Sequence, residues 1–371
     1  MFDMNKILDI AIAKDASDIH LIPGNKPILR IARNLVPVES SKELTEDNMT
    51  DIYDFLIKGN IEEDETYKET RKLDISCEHA GLRFRVNISH TEGIPVATLR
   101  IIKNTLPKYE DLGVPDIVRR MTYQPQGLIL VTGKTNSGKT TTLNALINDI
   151  NENQNRKILT LENPIEYKHQ SKKSLIVQKE VGKGKDSLSF HEGVKNSLRE
   201  DCDILVIGEI RDKETMEAAI EMAESGHLVL GTLHTKTCAE TIDRMINFYE
   251  VRDQATIKYM LSSLLKMVVS QRLLPTPEGD GMVLVPEVMV VDNIVSGIIR
   301  KDKISVSEIE DAIQSGSSNG SIGLINSLAE LFVKDKLTLE QAKSQIEEKN
   351  VEILNRTIMQ LKIKKQNTHK E

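Results

Sequence analysis

The sequence predicts an α/β protein: a small α+β domain, then a mostly parallel sheet covered by helices, then a helical C-terminal part. Three observations carry this. From Gly127 onward, short and fully apolar strands alternate with helical runs, which is how a sheet buried on both faces reads. Between the first such strand and the first such helix lies GKTNSGKT, residues 133–140. Ahead of them, the first hundred residues mix two helical runs with five strand candidates.

In chain order, Met4, Ile7, Leu8, Ala11 and Ile12 recur at helical spacing over 3–14. DIHLI (18–22) and ILRIA (28–32) read as strands joined by a Pro23-Gly24-Asn25 turn. A helix opens at Thr45 and runs to about Lys58, and EEDE at 62–65 reads as a solvated loop. KLDISCE (72–78), LRFRVNIS (82–89) and PVATLRII (95–102) are strands. In the second of these, Leu82, Phe84, Val86 and Ile88 alternate with Arg83, Arg85 and Asn87, so both arginines share the face opposite the apolar one. KNTLPKYEDLGVP has two prolines and no periodicity, as a linker does. The expected organisation is an N-terminal domain over 1–105, a linker over 106–118 and a core over 119–371.

The core then reads GLILVTG, a helix from Gly138 to about Ile150, KILTLE, DILVIGE, a helix over 212–225, HLVLGTLH and a helix over 238–249. GMVLVPEVMVV (281–291) is strand-like, SGSSNGS at 315–321 is a loop or exposed turn, and a mild basic tail follows Lys349.

Composition narrows the function classes. With 39% hydrophobic and 28% charged residues, the chain of 371 residues has the balance of a globular protein in water. A net charge of −7 argues against nucleic acid as the partner, because backbone binding needs concentrated positive surface. Cys77, Cys202 and Cys238 lie far apart with no CxxC pair, so neither a disulfide framework nor a zinc knuckle is expected. No run of eighteen apolar residues exists, and the N-terminus carries acids within its apolar stretch, so a cytoplasmic protein is expected.

GKTNSGKT fits GxxxxGK[ST] in the strand-to-helix context that motif requires. Backbone N–H groups from Lys134, Thr135, Asn136, Ser137, Gly138, Lys139, Thr140 and Thr141 would converge on phosphates at a helix N-terminus, with Gly133 and Gly138 permitting the close backbone approach. Lys139 would reach the β- and γ-phosphates of ATP, and the Thr140 hydroxyl would ligate Mg²⁺. A second metal carboxylate is expected at the end of DCDILVIGE, in Glu209, the lesser alternative being a pair with Arg211 at a loop surface. ILTLENPIEYKHQ places Glu162 and Glu166 at another strand end, where one could activate water. His227 and His234 stand at the two ends of one strand, positions where a histidine is more often structural.

Taken together, these segments resemble the type II/type IV secretion ATPase superfamily. Its Walker A loop, the Asp box ILTLENPIE, the Walker B strand ILVIGEIRD and the His box HLVLGTLHTKTCAETIDR occur in order. ASDIHLIPGNKPILRI and LRFRVN are similar to the N-terminal domain of its pilus retraction ATPases, the PilT group. SQRLLPTPEGDGMVLVPEVM lacks the tetracysteine zinc module of assembly ATPases, which also favours the retraction type. The resemblance implies a PAS-like N-terminal domain on a RecA-like P-loop core and a homo-hexamer. It also implies a motor docked at the inner face of the cytoplasmic membrane on an inner-membrane pilus platform protein.

The same resemblance assigns roles. Glu166 would be the catalytic glutamate, Glu209 the Walker B residue acting through Mg²⁺, and His227 and His234 His-box residues near the nucleotide and a subunit interface. Arg83, Arg85 and Arg199 would be arginines that reach phosphates, the first two in a neighbouring subunit; the alternative for Arg83 and Arg85 is the solvent face of a strand. Lys134, Asn136 and Asn163 depart from the family pattern, KEVGKGKDSLSF contains a short insertion, and NIVSGIIRKDK at 293–303 replaces the retraction signature AIRNLIRE. The expected function is a retraction motor for twitching motility. An assembly or secretion ATPase and a low-turnover nucleotide-binding regulator are the alternatives, and a DNA-translocating enzyme is disfavoured by the net charge.

Overall fold

A computed structural model describes residues 2–32, 34–102, 107–279 and 281–368. Residues 103–106 of the expected linker region and the last three residues of the basic tail lie outside the described residues.

The chain packs as two compact units, each described by itself. The first comprises the described residues up to 102 together with 162–168 and 180–188. It contains α1 (Met4–Ala13), β1 (Asp18–Leu21), β2 (Ile28–Ile31), β3 (Asn34–Pro37), α2 (Glu46–Ile57), α3 (Ile61–Thr70), β4 (Leu73–His79), β5 (Leu82–Thr91) and β6 (Ile94–Ile102). Its strands form one antiparallel sheet in the order β3-β2-β1-β6-β5-β4. Met4, Ile7, Leu8 and Ala11 of α1 join Ile19, Leu99, Phe84 and Val86 of the sheet in one core. Helix α2 begins with a capping box in which Thr45 and Asn48 satisfy each other's backbone N–H groups.

One expectation is corrected in this unit, and for Arg83 the solvent-face alternative is set aside. The acidic run at 62–65 is the first turn of α3 rather than a loop. Asn60 caps the helix through the N–H groups of Glu62 and Glu63, and the acids then sit at the positive end of the helix dipole. Arg83 is not on a solvent face. It is buried, and its Nη2 donates to Ser76 Oγ at 2.7 Å and to Glu180 in the 180–188 segment.

The second unit holds the remaining residues. After a 3₁₀ turn at Tyr109–Leu112 come α4 (Asp116–Met121), β7 (Gly127–Thr132), α5 (Lys139–Asn153), β8 (Lys157–Glu162), β9 (Leu175–Glu180), α6 (Phe190–Ser197) and β10 (Ile204–Ile207). Next are α7 (Lys213–Glu224), β11 (Leu228–Leu233), α8 (Cys238–Asn247), α9 (Val251–Leu264), β12 (Leu265–Pro275) and β13 (Met282–Val290). The chain ends with α10 (Asn293–Ile299), α11 (Val306–Ser315), α12 (Leu324–Val333), α13 (Leu339–Lys343) and α14 (Val351–Thr368). Part of SGSSNGS is a short 3₁₀ helix, Gly316–Asn319.

The sheet order is β13-β12-β7-β11-β10-β8-β9, with β12, β7, β11, β10 and β8 pairing in parallel and β13 antiparallel at one edge. Every residue of β7, β10 and β11 is buried, which is why these strands are apolar throughout. Beyond the sheet, Leu328, Ala329, Leu337, Ala342, Leu354 and Ile358 pack with Val285 of β13 into a separate helical core.

One carboxylate in this unit carries a measurable consequence. Glu287 of β13 is only 6% exposed. Burial lifts its carboxyl from the ordinary value of 4.5 to about 6; the Cys238 N–H and Arg272 oppose that rise, and Glu310 adds to it. The folded state therefore binds more protons than the unfolded state between these values. The stability linked to this group is complete below pH 4.5 and is lost as pH rises through 6. Urea unfolding of wild type and Glu287→Gln should show the variant gaining about 2 kcal/mol relative to wild type between pH 4.5 and 7.5.

Candidate active site

The loop joining β7 to α5 turns from strand to helix within six residues, Gly133–Gly138. It uses positive φ at Gly133 (145°), Asn136 (64°) and Gly138 (87°). Asparagine is among the residues that tolerate this region, so Asn136 serves without a glycine. At Gly133 there is no such latitude. A Cβ there would lie 2.4 Å from Ser137 Oγ and 2.5 Å from the Gln271 carbonyl oxygen of β12.

Lys139 folds back under its own loop, its Nζ donating to the carbonyls of Gly133 at 2.8 Å and Lys134 at 3.0 Å. It is 8% exposed, and burial lowers its pKa although the Glu209 carboxylate acts in the opposite direction. Gly138 precedes α5 without a side-chain cap, which leaves first-turn N–H groups at the positive end of a helix of 15 residues. Lys134, Thr135 and Asn136 are exposed, and Thr140 and Thr141 are half-buried.

The helix that follows is fixed by two contacts the sequence reading did not single out. Gln271 Nε2 donates to Thr142 Oγ1 at 2.7 Å. Asn144 Nδ2 donates to the Thr140 carbonyl at 2.9 Å, while its Oδ1 lies 2.7 Å from His169 Nε2. Burial pushes the His169 imidazole down to about 4, so at neutral pH it is uncharged and donates through Nε2–H. Both residues stood inside quoted segments, SQRL and EYKHQ, but neither has a spacing that announces a role.

Glu209 follows β10 and its side chain is 15% exposed. Its Oε2 lies 2.6 Å from Arg211 Nε and 3.7 Å from His234 Nε2, so it makes the surface pair and also belongs to the cluster around Lys139. His234 follows β11; burial, then the Lys139 charge, lower its pKa, which keeps it neutral at pH 7. Lys139, Glu209 and His234 thus come together at the C-terminal edge of the parallel strands, where α/β sheets bind ligands.

Two other expected residues, His227 and Arg199, stand at the opposite edge of the sheet. His227 precedes β11, its carbonyl accepting the Gly127 N–H at 3.0 Å, seven residues and roughly 23 Å along the strand from His234. Its Nδ1 lies 2.9 Å from Ser225 Oγ and 3.1 Å from the Met222 carbonyl. Arg199 is exposed in the turn leading into β10, again at the N-terminal edge. The structure does not bring either to the phosphate loop of its own chain. Glu166 is half-buried in the 162–168 segment of the first unit, where the Ile165 N–H donates to Glu180 at 3.3 Å. Arg83 is engaged by the same Glu180, and Arg85 is half-buried on β5 opposite Ser76 and Arg100.

The residues present fit a nucleotide phosphate chain with Mg²⁺. Ser137 Oγ is buried without a protein partner, the Gly133 cradle would be filled by a Cβ, and a cation, a hydroxyl and a carboxylate (Lys139, Thr140, Glu209) share one edge. Among the described residues no group of three or more His, Cys, Asp or Glu could hold a metal. A magnesium ion would therefore take most of its ligands from phosphate and water, as it commonly does.

A family model described as type II/IV secretion system protein matches residues 2–280. The chain belongs to that family. It is 37% identical over 349 residues to the type IV pilus retractation ATPase PilT of Pseudomonas aeruginosa, covering 92% of this chain and 98% of that one. It is 41% identical over 278 residues to a twitching motility protein of Neisseria gonorrhoeae, covering 75% and 73%. Among solved structures, the pilus retraction motor PilT with bound ADP superposes with a TM-score of 0.85 at 35% identity, over 95% of this chain and 99% of that one. These matches place the family member in the PilT group, with its RecA-like core, its α+β N-terminal part and its helical C-terminal part.

The geometry at Gly133 yields a direct test. Gly133→Ala should weaken ADP binding at least about a hundredfold, read by calorimetry, because the added Cβ displaces Ser137 or the β12 backbone and distorts the phosphate cradle.

Proposed function

We propose that the chain is a homo-hexameric, ATP-hydrolysing motor that drives retraction of a type IV pilus and so twitching motility. The observation that carries this reading is the buried Lys139 held at 2.8 Å and 3.0 Å beneath a phosphate loop, at the same sheet edge as Glu209. Relatives named for pilus retraction and twitching, aligned over most of the chain, support the pilus assignment.

The reaction is ATP and water to ADP and phosphate. On nucleotide arrival Lys139 exchanges its two carbonyl partners for phosphate oxygens, and the loop N–H groups from Gly133 to Thr141 surround the phosphate chain. Thr140 and Glu209 hold Mg²⁺, which when bound neutralises charge on the transferred phosphoryl group. Glu166 takes the proton of the attacking water, a role worth about 10² to 10⁴ in rate. His234, neutral beside Glu209, stays available as a hydrogen-bond donor. Arg83 and Arg85 reach the nucleotide of a neighbouring subunit, Arg199 acts near the phosphates, and His227 lies near the nucleotide and a subunit interface.

Residues 1–105 and 119–371 serve as the two domains of each subunit, with 106–118 as the hinge between them. The motor works in the cytoplasm, peripheral to the inner face of the cytoplasmic membrane, on an inner-membrane pilus platform protein. No described helix is long and apolar enough to cross a membrane.

A second reading, a regulator with little turnover, is favoured by one observation: Asn163 stands where the family's Asp box has an aspartate, removing a charge next to the catalytic segment. Steady-state ATPase over a concentration series, with mass by light scattering, separates the two. The motor reading expects turnover per subunit to rise as hexamers form, to vanish in Lys139→Ala and to fall about a hundredfold or more in Glu166→Gln. Residual turnover that is the same in Glu166→Gln as in wild type would establish the regulator instead. Surface pili that persist but no longer retract in a deletion strain would distinguish retraction from assembly.

A further inference from the structure

Behind the turn that follows His234 lies a set of buried polar side chains that the reading above leaves unused. Glu287 Oε2 accepts the backbone N–H of Cys238, the first residue of α8, at 3.0 Å. Directly opposite Glu287 in the β12–β13 register stands Ser270, whose Oγ donates to the Lys236 carbonyl at 2.8 Å. Arg272 Nη2 donates to that same carbonyl at 3.4 Å, and its Nη1 donates to the Gln345 carbonyl at 2.7 Å. Two neighbouring strands therefore grip both ends of the Lys236–Cys238 turn, its carbonyl from β12 and its N–H from β13.

Helix α8 does not need Glu287 in order to form. Thr237 already caps it, its Oγ1 accepting the Glu240 N–H at 3.0 Å, and Glu240 returns a bond to the Lys236 N–H at 2.8 Å. What the Glu287 carboxylate adds is the place where the helix starts relative to the sheet. Burying an ionisable group opposes folding, and the bond to the buried Cys238 N–H offsets that cost only in part.

We infer that Glu287 is a positioning residue for hydrolysis: with Ser270 and Arg272 it fixes the 236–238 turn and thereby holds His234 against Glu209. His234 is two residues from the gripped Lys236 carbonyl, its side chain is 48% exposed, and among the described residues its one ion-pair partner is Glu209 at 3.7 Å. With about half its side chain in solvent, the place of His234 follows from the turn its backbone runs into. The inference rests on the proposed ATPase reading for its kinetic half and on geometry alone for its structural half.

The test uses the full chain, Glu287→Ala and Glu287→Gln, with hydrogen exchange read by mass spectrometry beside kcat and KM for ATP. Glu287→Ala should speed exchange in the peptide spanning 234–241, leave 133–141 as in wild type, and lower kcat about ten- to a hundredfold with KM within about twofold. Glu287→Gln, which keeps an oxygen for the Cys238 N–H, should stay within about threefold of wild type in both. Unchanged exchange at 234–241 in Glu287→Ala, a loosening spread over the whole chain, or a loosened turn with wild-type kcat would each overturn the inference. If Glu287→Ala does not fold, Ser270→Ala releases the other end of the turn; faster exchange in the same peptide upholds the inference and no change overturns it. A wild-type protein with no ATPase activity would defeat the ATPase reading and the kinetic half, while the exchange result still decides whether Glu287 holds the turn.

Discussion

The site depends first on the parallel pairing of β7, β11 and β10. Parallel strands all deliver their following loops to one edge of the sheet, so the register between them decides which side chains meet. Thr132 lies opposite Leu233, and Gly231 opposite Ile207. The phosphate loop, His234 and Glu209 therefore begin within one or two residues of a common line. A slip of one residue would turn every apolar side chain of a strand toward the opposite face, and the fully buried strands resist this strongly. The ionisable cluster at the edge is thus built by residues that never touch it.

Strand β12 supplies a second reference. Its tripeptide Ser270-Gln271-Arg272 serves three different elements: Ser270 the turn before α8, Gln271 the helix after the phosphate loop, and Arg272 both that turn and the C-terminal helices. The backbone is used as well, since the Gln271 carbonyl occupies the space that a Cβ on Gly133 would need. The glycine at 133 is therefore required by the neighbouring strand as much as by its own φ.

Much of this was legible in the sequence, for reasons that differ by element. β7, β10 and β11 could be read directly because burial on both faces makes them apolar at every position. β12 could not, because LKMVVSQRLLP places Lys266, Ser270, Gln271 and Arg272 in a strand whose polar groups are satisfied by distant turns. Helix α3 was hidden by its composition. It has only Tyr67 buried, so its apolar periodicity is nearly absent and the cap at Asn60 is the surviving signal. The solvent-face alternative for Arg83 fails for a third reason: strand alternation separates two faces, but it does not say that Arg83 on β5 is engaged by a residue about a hundred positions away. For Glu209 the sequence left two readings open, a metal carboxylate and a surface pair with Arg211, and the geometry contains the makings of both.

The placement of Lys139 relative to His234 follows from these ladders. Lys139 is tied to β7 through the Gly133 carbonyl and its helix to β12 through Gln271; the turn after His234 is tied to β12 through Ser270 and to β13 through Glu287. β12 itself is hydrogen-bonded to β7 on one side and to β13 on the other. The two halves of the site are therefore referred to one continuous set of backbone hydrogen bonds. Adjustment is left to the groups at the rim, namely the exposed Arg211, the half-exposed His234 and the exposed loop residues Lys134 to Asn136. A buried base with an exposed rim suits a site that must admit a phosphate chain, enclose it and release it again.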